Sequence, residues 1–173
     1  MKLNLGCGED IKKGYINLDK EKIPGVDVVH NIDKFPYPFK ENYFDEVYAS
    51  HILEHAKDLF MAMKEIHRIS KPGAIVRITV PYFHSAGAFS PNHNYFFNTD
   101  SLRFFTEKER SYDRFYYFDL EKIRLRPSKL GRFILDIKFP KSWFKNVLSL
   151  RHMFSYMVGE VITEIYFELR VVK

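Results

Sequence analysis

The sequence predicts a single α/β domain built on a mostly parallel sheet. Three observations predict it. Residues 3–8 read LNLGCG, an apolar run that stops on a Gly-x-Gly turn, and Asp19 closes the next apolar run, INLD, eleven residues after Gly8. Short apolar runs then recur at 26–30, 44–49 and 74–80, rich in Val, Ile, Leu and Tyr and separated by Gly, Pro, Asn or Asp. Near-continuous apolarity of this kind suits strands buried on both faces. Finally, Ile52, Leu59, Met63, Ile66 and Ile69 recur at helical spacing within 52–70, and Lys71-Pro72-Gly73 stops that helix before the run 74–80. Strand, helix, stop and strand make a βαβ unit.

Bulk properties agree with a globular domain. A chain of 173 residues with 46% hydrophobic and 28% charged residues can bury one sizeable core. No apolar run approaches a membrane span, and MKLNLGCGED does not resemble a signal peptide. The single Cys7 excludes an intramolecular disulfide and fits a reducing, cytoplasmic setting. Residues 1–81 are neutral, whereas residues 82–173 carry the whole net charge of +5 and 21 of the 29 aromatic residues. A mild basic excess with this aromatic content reads first as an aromatic core with a solvated face. Its alternative is a surface for an anionic or ring-bearing ligand, nucleic acid included.

The early connections are short. Only seven residues separate Gly8 from Ile16 and six separate Asp19 from Val26, where a parallel crossover normally has a dozen or more, usually including a helix. Missing helices would leave one sheet face in need of a cover. A second copy of the chain, as a homodimer, or the C-terminal segment could supply it.

LNLGCG, INLD, NIDKFPYPFKENYFDEVYASHILEH and MKEIHRISKPG together, in this order and spacing, resemble the class I S-adenosylmethionine-dependent methyltransferases over about residues 3–81. The likeness is to the compact, small-molecule type found with glycan biosynthesis. It implies a Rossmann-like sheet, mostly parallel with an antiparallel last strand and shortened early crossovers, in one domain. Residues 1–81 would form the cofactor half and 82–173 the substrate and cover half. The cofactor implied is S-adenosyl-L-methionine and the acceptor an oxygen or nitrogen of a small or glycan-linked molecule; the alternatives are a non-catalytic protein that binds the cofactor and an RNA methyltransferase. By position, Gly6, Cys7 and Gly8 match the loop under the methionine part, and Asp19 matches the acid that takes the ribose hydroxyls. Ile32, Asp33 and Lys34 match the turn beside the adenine, and Ala49, Ser50 and His51 the strand end near the sulfonium. Three positions depart from the pattern: Asn4 stands for an acid, Asp10 for a third glycine, and Ala74 for the last glycine of KPGG. A nicotinamide-type site would need that third glycine and a helix after it, which LGCG lacks. Cys7 reads as a small packing residue, since no activating base lies near it in sequence.

Histidines supply the candidate acid–base groups. His51, His84 and His93 are assigned to proton transfer, because imidazole titrates near neutral pH and a hydroxyl or ammonium acceptor must lose a proton. His51, Glu54 and His55 share a face if their turn is helical, and with His84 they form a metal-ligand set on paper. Spacing of this kind also occurs without metal, so no metal is assigned and His55 is read as a hydrogen-bonded residue beneath the site.

In the second half, YFHSAGAFSPNHNYFFN (82–98) reads as a long functional loop facing the acceptor. Thr99 is placed as the cap of a short helix over 100–109. Strands are predicted over 115–126 and 161–172, with an amphipathic helix over 142–158 ended by Gly159. Lys141, Lys145 and Arg151 beside Trp143 and Phe144 read as the outer surface of that helix, with a lipid-facing patch as the alternative.

Overall fold

The computed structural model describes residues 1–107, 117–129 and 161–173. The predicted helix over 142–158, its Gly159 stop and the basic–aromatic patch on it lie outside the described residues. Seven strands form one sheet: β1 (Lys2–Leu5), β2 (Ile16–Asp19), β3 (Val28–Val29), β4 (Phe44–Ser50), β5 (Ser70–Pro81), β6 (Phe118–Pro127) and β7 (Ile162–Val171). Their spatial order is β3-β2-β1-β4-β5-β7-β6. The strands β1 to β5 pair in parallel, and β7 runs antiparallel between β5 and β6.

Helix α1 (Leu59–Ile69) is the long crossover helix among the described residues. It begins later than the apolar spacing predicts. Asp58 is its N-cap, with a side-chain oxygen accepting the Met61 N–H at 2.9 Å, while Leu53–His55 forms a separate 3-10 turn. The helix ends at Ser70, whose hydroxyl donates to the Ile66 carbonyl. Lys71-Pro72-Gly73 falls inside β5, at the irregularity where the β4 register slips between Phe44 and Glu46. Helix α2 (Arg103–Thr106) starts after Leu102 with no side-chain cap, so Thr99 does not play the capping part predicted for it.

The two faces of the sheet differ in chemistry. Residues paired across strands point to the same side. One face therefore carries Leu3, Leu5, Leu18, Val47, Ala49, Val76, Ile78, Phe167 and Leu169, all buried, with Ala62, Met63, Ile66 and Ile69 of α1 in the same core cluster. The other face carries Lys2, Asn4, Asn17, Glu46, Tyr48, Arg77, Tyr166 and Glu168 in adjoining register. Those groups are linked to one another. Arg77 pairs with Glu46 and with Glu168 (3.1 Å), Tyr15 donates to Glu46, Tyr166 donates to Glu168 at 2.7 Å, and Lys12 sits 4.3 Å over the Tyr48 ring. The expectation of strands apolar on both faces is thus corrected. Among the described residues this face is built of mutually paired polar groups with Tyr48, Ile75 and Tyr166 between them, so it is not the apolar face from which a homodimer was expected.

The three early crossovers contain no helix. The loop 9–15 is held by amides: Asn4 Nδ2 donates to the Asp10 carbonyl (2.7 Å) and to Asn17 Oδ1 (2.9 Å), and the Lys12 N–H donates to the same oxygen (2.9 Å). The loop between β3 and β4 is tied to α1. Glu65 accepts the Tyr37 N–H at 2.7 Å, and Arg68 donates to the Phe39 and Tyr37 carbonyls while pairing with Glu65. No helix among the described residues is long and apolar enough to cross a membrane.

Candidate functional site

Two cavities open at the carboxyl ends of the strands, where the strand order reverses and where open α/β sheets collect their ligands. The first has a volume of about 500 Å³ and is lined by Gly6, Gly8, Asp19, Lys20, Asn31, Ile32, Asp33, His51, Ile52, His55, Lys57 and Asn92. The tight turn after β1 builds its floor. Gly6 has φ +66°, and a Cβ there would lie 2.2 Å from the Ile52 side chain, so glycine is required by the close approach of Ile52. Gly8, with φ +48°, has nothing within 4 Å of the same position and leaves the cavity open. Its N–H donates to Asp19 Oδ2 at 2.8 Å, and the Glu21 N–H donates to Oδ1 at 3.1 Å. Two backbone donors therefore fix the Asp19 carboxylate at the cavity and leave each oxygen a further lone pair. Asp33 is fixed similarly, accepting the Lys57 N–H at 2.8 Å.

The second cavity, about 460 Å³, is lined by His51, Glu54, His55, Pro81, Ser85, Gly87, Ser90, His93, Thr163 and Glu164. His51 and His55 line both cavities. His51 sits at φ +53°, its N–H held by the Thr79 carbonyl at 2.9 Å, and each ring nitrogen faces a carboxylate: Nδ1 lies 3.4 Å from Glu54 and Nε2 3.1 Å from Glu164. Glu54 first and Glu164 second raise its pKa above the ordinary imidazole value, against burial, which acts in the opposite direction. Loop 90–98 is strapped over this end of the sheet. The Asn94 and Tyr95 N–H groups donate to the Glu54 carbonyl, and the Asn94 amide donates to the His55 and Ala56 carbonyls. That strap brings His93 beside His55, ring centroids 4.7 Å apart.

The predicted residues divide accordingly. Gly6, Gly8, Asp19, Ile32, Asp33 and His51 line the first cavity, and His51 and His93 line the second. Cys7, Lys34, Ala49 and Ser50 line neither. Cys7 is buried, and burial together with the nearby Asp19 carboxylate pushes its thiol pKa up, the wrong direction for a nucleophile. His84 lines neither cavity and packs edge-on against Phe83 at 4.4 Å. Lys20, Asn31, Lys57 and Asn92 were missed by sequence reasoning. They sit on connecting loops, which have no periodicity to mark them.

Residues 3–78, from β1 to most of β5, match the methyltransferase domain family, a stretch described as "Methyltransferase domain". A crystal structure of an S-adenosylmethionine-dependent methyltransferase from Archaeoglobus fulgidus superposes with a TM-score of 0.65, at 16% identity, covering 98% of this chain and 85% of that one. The chain has the class I methyltransferase fold. Its mostly parallel sheet, antiparallel last strand and shortened early crossovers are those the sequence predicts. Sequence identity to curated methyltransferases is confined to a short stretch. A demethylmenaquinone methyltransferase of Staphylococcus haemolyticus is 31% identical over 71 residues, which is 40% of this chain and 30% of that protein. The chain thus matches less than a third of the length of that relative. The methyltransferase fold alone does not dictate transfer: a [4+2]-cyclase, SpnF, superposes with a TM-score of 0.60 at 15% identity, covering 99% of this chain and 74% of that one.

Proposed function

We propose that this chain binds S-adenosylmethionine in the first cavity. It then transfers the methyl group to an oxygen or nitrogen of a small polar acceptor, free or glycan-linked, held in the second. The observation that carries the reading is the Asp19 carboxylate. It is fixed by the Gly8 and Glu21 N–H groups at the wall of a 500 Å³ cavity that shares His51 and His55 with a second, polar one. The residues present fit the cofactor. Asp19 keeps free lone pairs for the two ribose hydroxyls, and Gly8 leaves open the space a side chain would fill. Ile32 supplies an apolar surface for the adenine, with Asp33 beside it.

When bound, the cofactor supplies an activated methyl on a sulfonium. The chain's own work is then positioning and proton management. His51 and His93 both line the acceptor cavity, and His51 is the imidazole placed to take the proton that a hydroxyl or ammonium gives up. Ser85, Ser90, Thr163 and Glu164 offer hydrogen-bonding partners around it. Phe89 and Phe96, both more than half exposed and 5.4 Å apart by ring centroid, form an aromatic surface on the loop that carries Ser90 and His93. A polar cavity beside exposed aromatic rings suits a hydroxylated ring system. The family match ends before Pro81, Ser85, Ser90 and His93, the residues that would meet the acceptor, so the acceptor is read from this cavity and not from the named relatives.

Calorimetry with S-adenosylmethionine and S-adenosylhomocysteine tests the reading. Both should bind one to one, and Asp19→Ala should weaken them by about 10- to 100-fold, the loss of one or two charge-assisted hydrogen bonds. Absence of binding at millimolar cofactor overturns the cofactor assignment, and unchanged affinity in Asp19→Ala overturns the role of Asp19.

A further inference from the structure

Glu54 lies beside His51 yet is short of hydrogen-bond partners. Its side chain is 1% exposed, yet neither carboxylate oxygen accepts a hydrogen bond. The nearest basic group is the His51 imidazole, whose Nδ1 lies 3.4 Å away and off the line a hydrogen bond requires. A buried carboxylate in that state is costly unless something positive neutralises it. Glu54 faces His55 and His93, and one ligand atom from each of the three lies within 4.8 Å of the other two.

The two imidazoles are prepared in a particular way. Nδ1 of His55 lies 3.1 Å from the Asn92 carbonyl, and Nδ1 of His93 lies 3.1 Å from the Ala88 carbonyl. A carbonyl can only accept, so in the neutral form each ring carries its proton on Nδ1 and has its lone pair on Nε2. A neutral imidazole oriented by a backbone carbonyl through its other nitrogen is the usual support of a metal-bound histidine. The strap from Asn94 and Tyr95 to the Glu54 carbonyl holds the loop that delivers His93, so the set is assembled before any ligand arrives.

We propose that Glu54, His55 and His93 form a binding site for a divalent transition-metal ion, set in the wall between the two cavities. Two imidazoles and one carboxylate suit Zn²⁺, Co²⁺ or Mn²⁺, whereas Mg²⁺ and Ca²⁺ prefer sites built from oxygen alone. Bonds of about 2.1 Å place two ligands of one ion at most about 4.2 Å apart. The three ligand atoms, within 4.8 Å of one another, must draw together around an ion, a movement open to His93 on its loop. His93 completes the cluster where the sequence pattern put His84. The ion would neutralise Glu54 and stand at the acceptor cavity, where a hydroxyl could bind it and lose its proton more readily. The site itself rests on these residues and not on the methyltransferase reading.

The test uses tag-free, chelator-stripped full chain titrated with Co²⁺ and followed by visible absorption, with Zn²⁺ as competitor. One Co²⁺ per chain is expected, with the visible bands of a nitrogen–oxygen site, displaced by Zn²⁺. Glu54→Gln and His93→Ala should each weaken it at least about tenfold, and His67→Ala, on the far end of α1, should leave it unchanged. Circular dichroism checks that each variant folds, and the loop-borne His93→Ala keeps the test decisive if Glu54→Gln does not. No saturable one-to-one binding overturns the site, as does equal affinity in Glu54→Gln and His93→Ala. S-adenosylhomocysteine binding is measured on the same samples. Cofactor binding without metal binding removes the metal site alone, and metal binding without cofactor binding removes the methyltransferase reading alone.

Discussion

The crossovers of this sheet are held by two different kinds of force. Between β4 and β5 the chain uses a helix, and Ala62, Met63, Ile66 and Ile69 bury an apolar stripe on the apolar sheet face. Between β1 and β2 there is no helix. Ten residues cross over, and the buried amides of Asn4 and Asn17 hold them through hydrogen bonds to Asp10 and Lys12. Apolar burial is non-directional and tolerates reshaping. Amide pinning is directional, and each partner left unsatisfied costs its full desolvation. The loop proposed to hold the cofactor sits on the amide-pinned side, so its position depends on a few donor–acceptor pairs rather than on a broad packed surface.

The helical crossover should show the largest single effect. Ile66 is fully buried, and Ile66→Ala removes three carbons from the core and leaves a cavity. A loss of about 2–5 kcal/mol is expected by denaturant unfolding. The cost should fall on global stability, with cofactor affinity of the folded fraction unchanged. A loss below about 1 kcal/mol would show that α1 does not anchor the sheet as described.

The amide-pinned crossover should break more selectively. Asn4→Asp restores the acid that the family pattern carries at this position. Here it would place a carboxylate against the Asp10 carbonyl and Asn17 Oδ1, two oxygens that can only accept. A destabilisation of about 2 kcal/mol is expected, easing at low pH as the new group protonates and can donate. Cofactor affinity should fall with it, because the loop 9–15 leads directly out of Gly8. A neutral effect on both would mean that the loop is held by something other than its amides.

These pairs explain which parts of the molecule were legible in the sequence. The strands and α1 were readable because their apolar spacing is local, and the final strand matched closely, Ile162–Val171 against 161–172. The two-faced nature of the sheet was not read, because Tyr48, Ile75 and Tyr166 count as apolar within a run although they stand on the polar face. The alternation of Glu46, Tyr48 and Ser50 with Val47 and Ala49, and Arg77 inside AIVRITV, were the available signals. In the sequence Asn4 stood out only as a departure from an acid. Its true partners are set by strand register and by a loop carbonyl, neither of which sequence spacing reveals. The glycine turn, Asp19, Ile32, Asp33 and His51 reached the first cavity because they sit at strand ends fixed by local pattern. His93 could not be told from His84 in advance, because the strap that carries it to Glu54 depends on hydrogen bonds from Asn94 and Tyr95 across nearly forty residues of chain.

The third crossover, between β3 and β4, sits between the two cases and should show the smallest effect with the clearest pH signature. It has no helix of its own, but α1 lends it Glu65 and Arg68. Burial acts to raise the Glu65 pKa, yet the Arg68 guanidinium and the Tyr37 N–H outweigh it and hold the carboxyl below its ordinary value. A carboxyl depressed in the folded state contributes stability above its unfolded pKa, and that contribution fades as pH falls through the folded value. Glu65→Gln should therefore cost about 1–3 kcal/mol near neutral pH. The gap between wild type and variant should narrow progressively below about pH 4.5, the ordinary glutamate range. Urea unfolding at a series of pH values measures this. A gap that stays constant down to the acid limit would show that Glu65 acts by shape alone, and would place this crossover with the packed helix rather than with the amide-pinned loop.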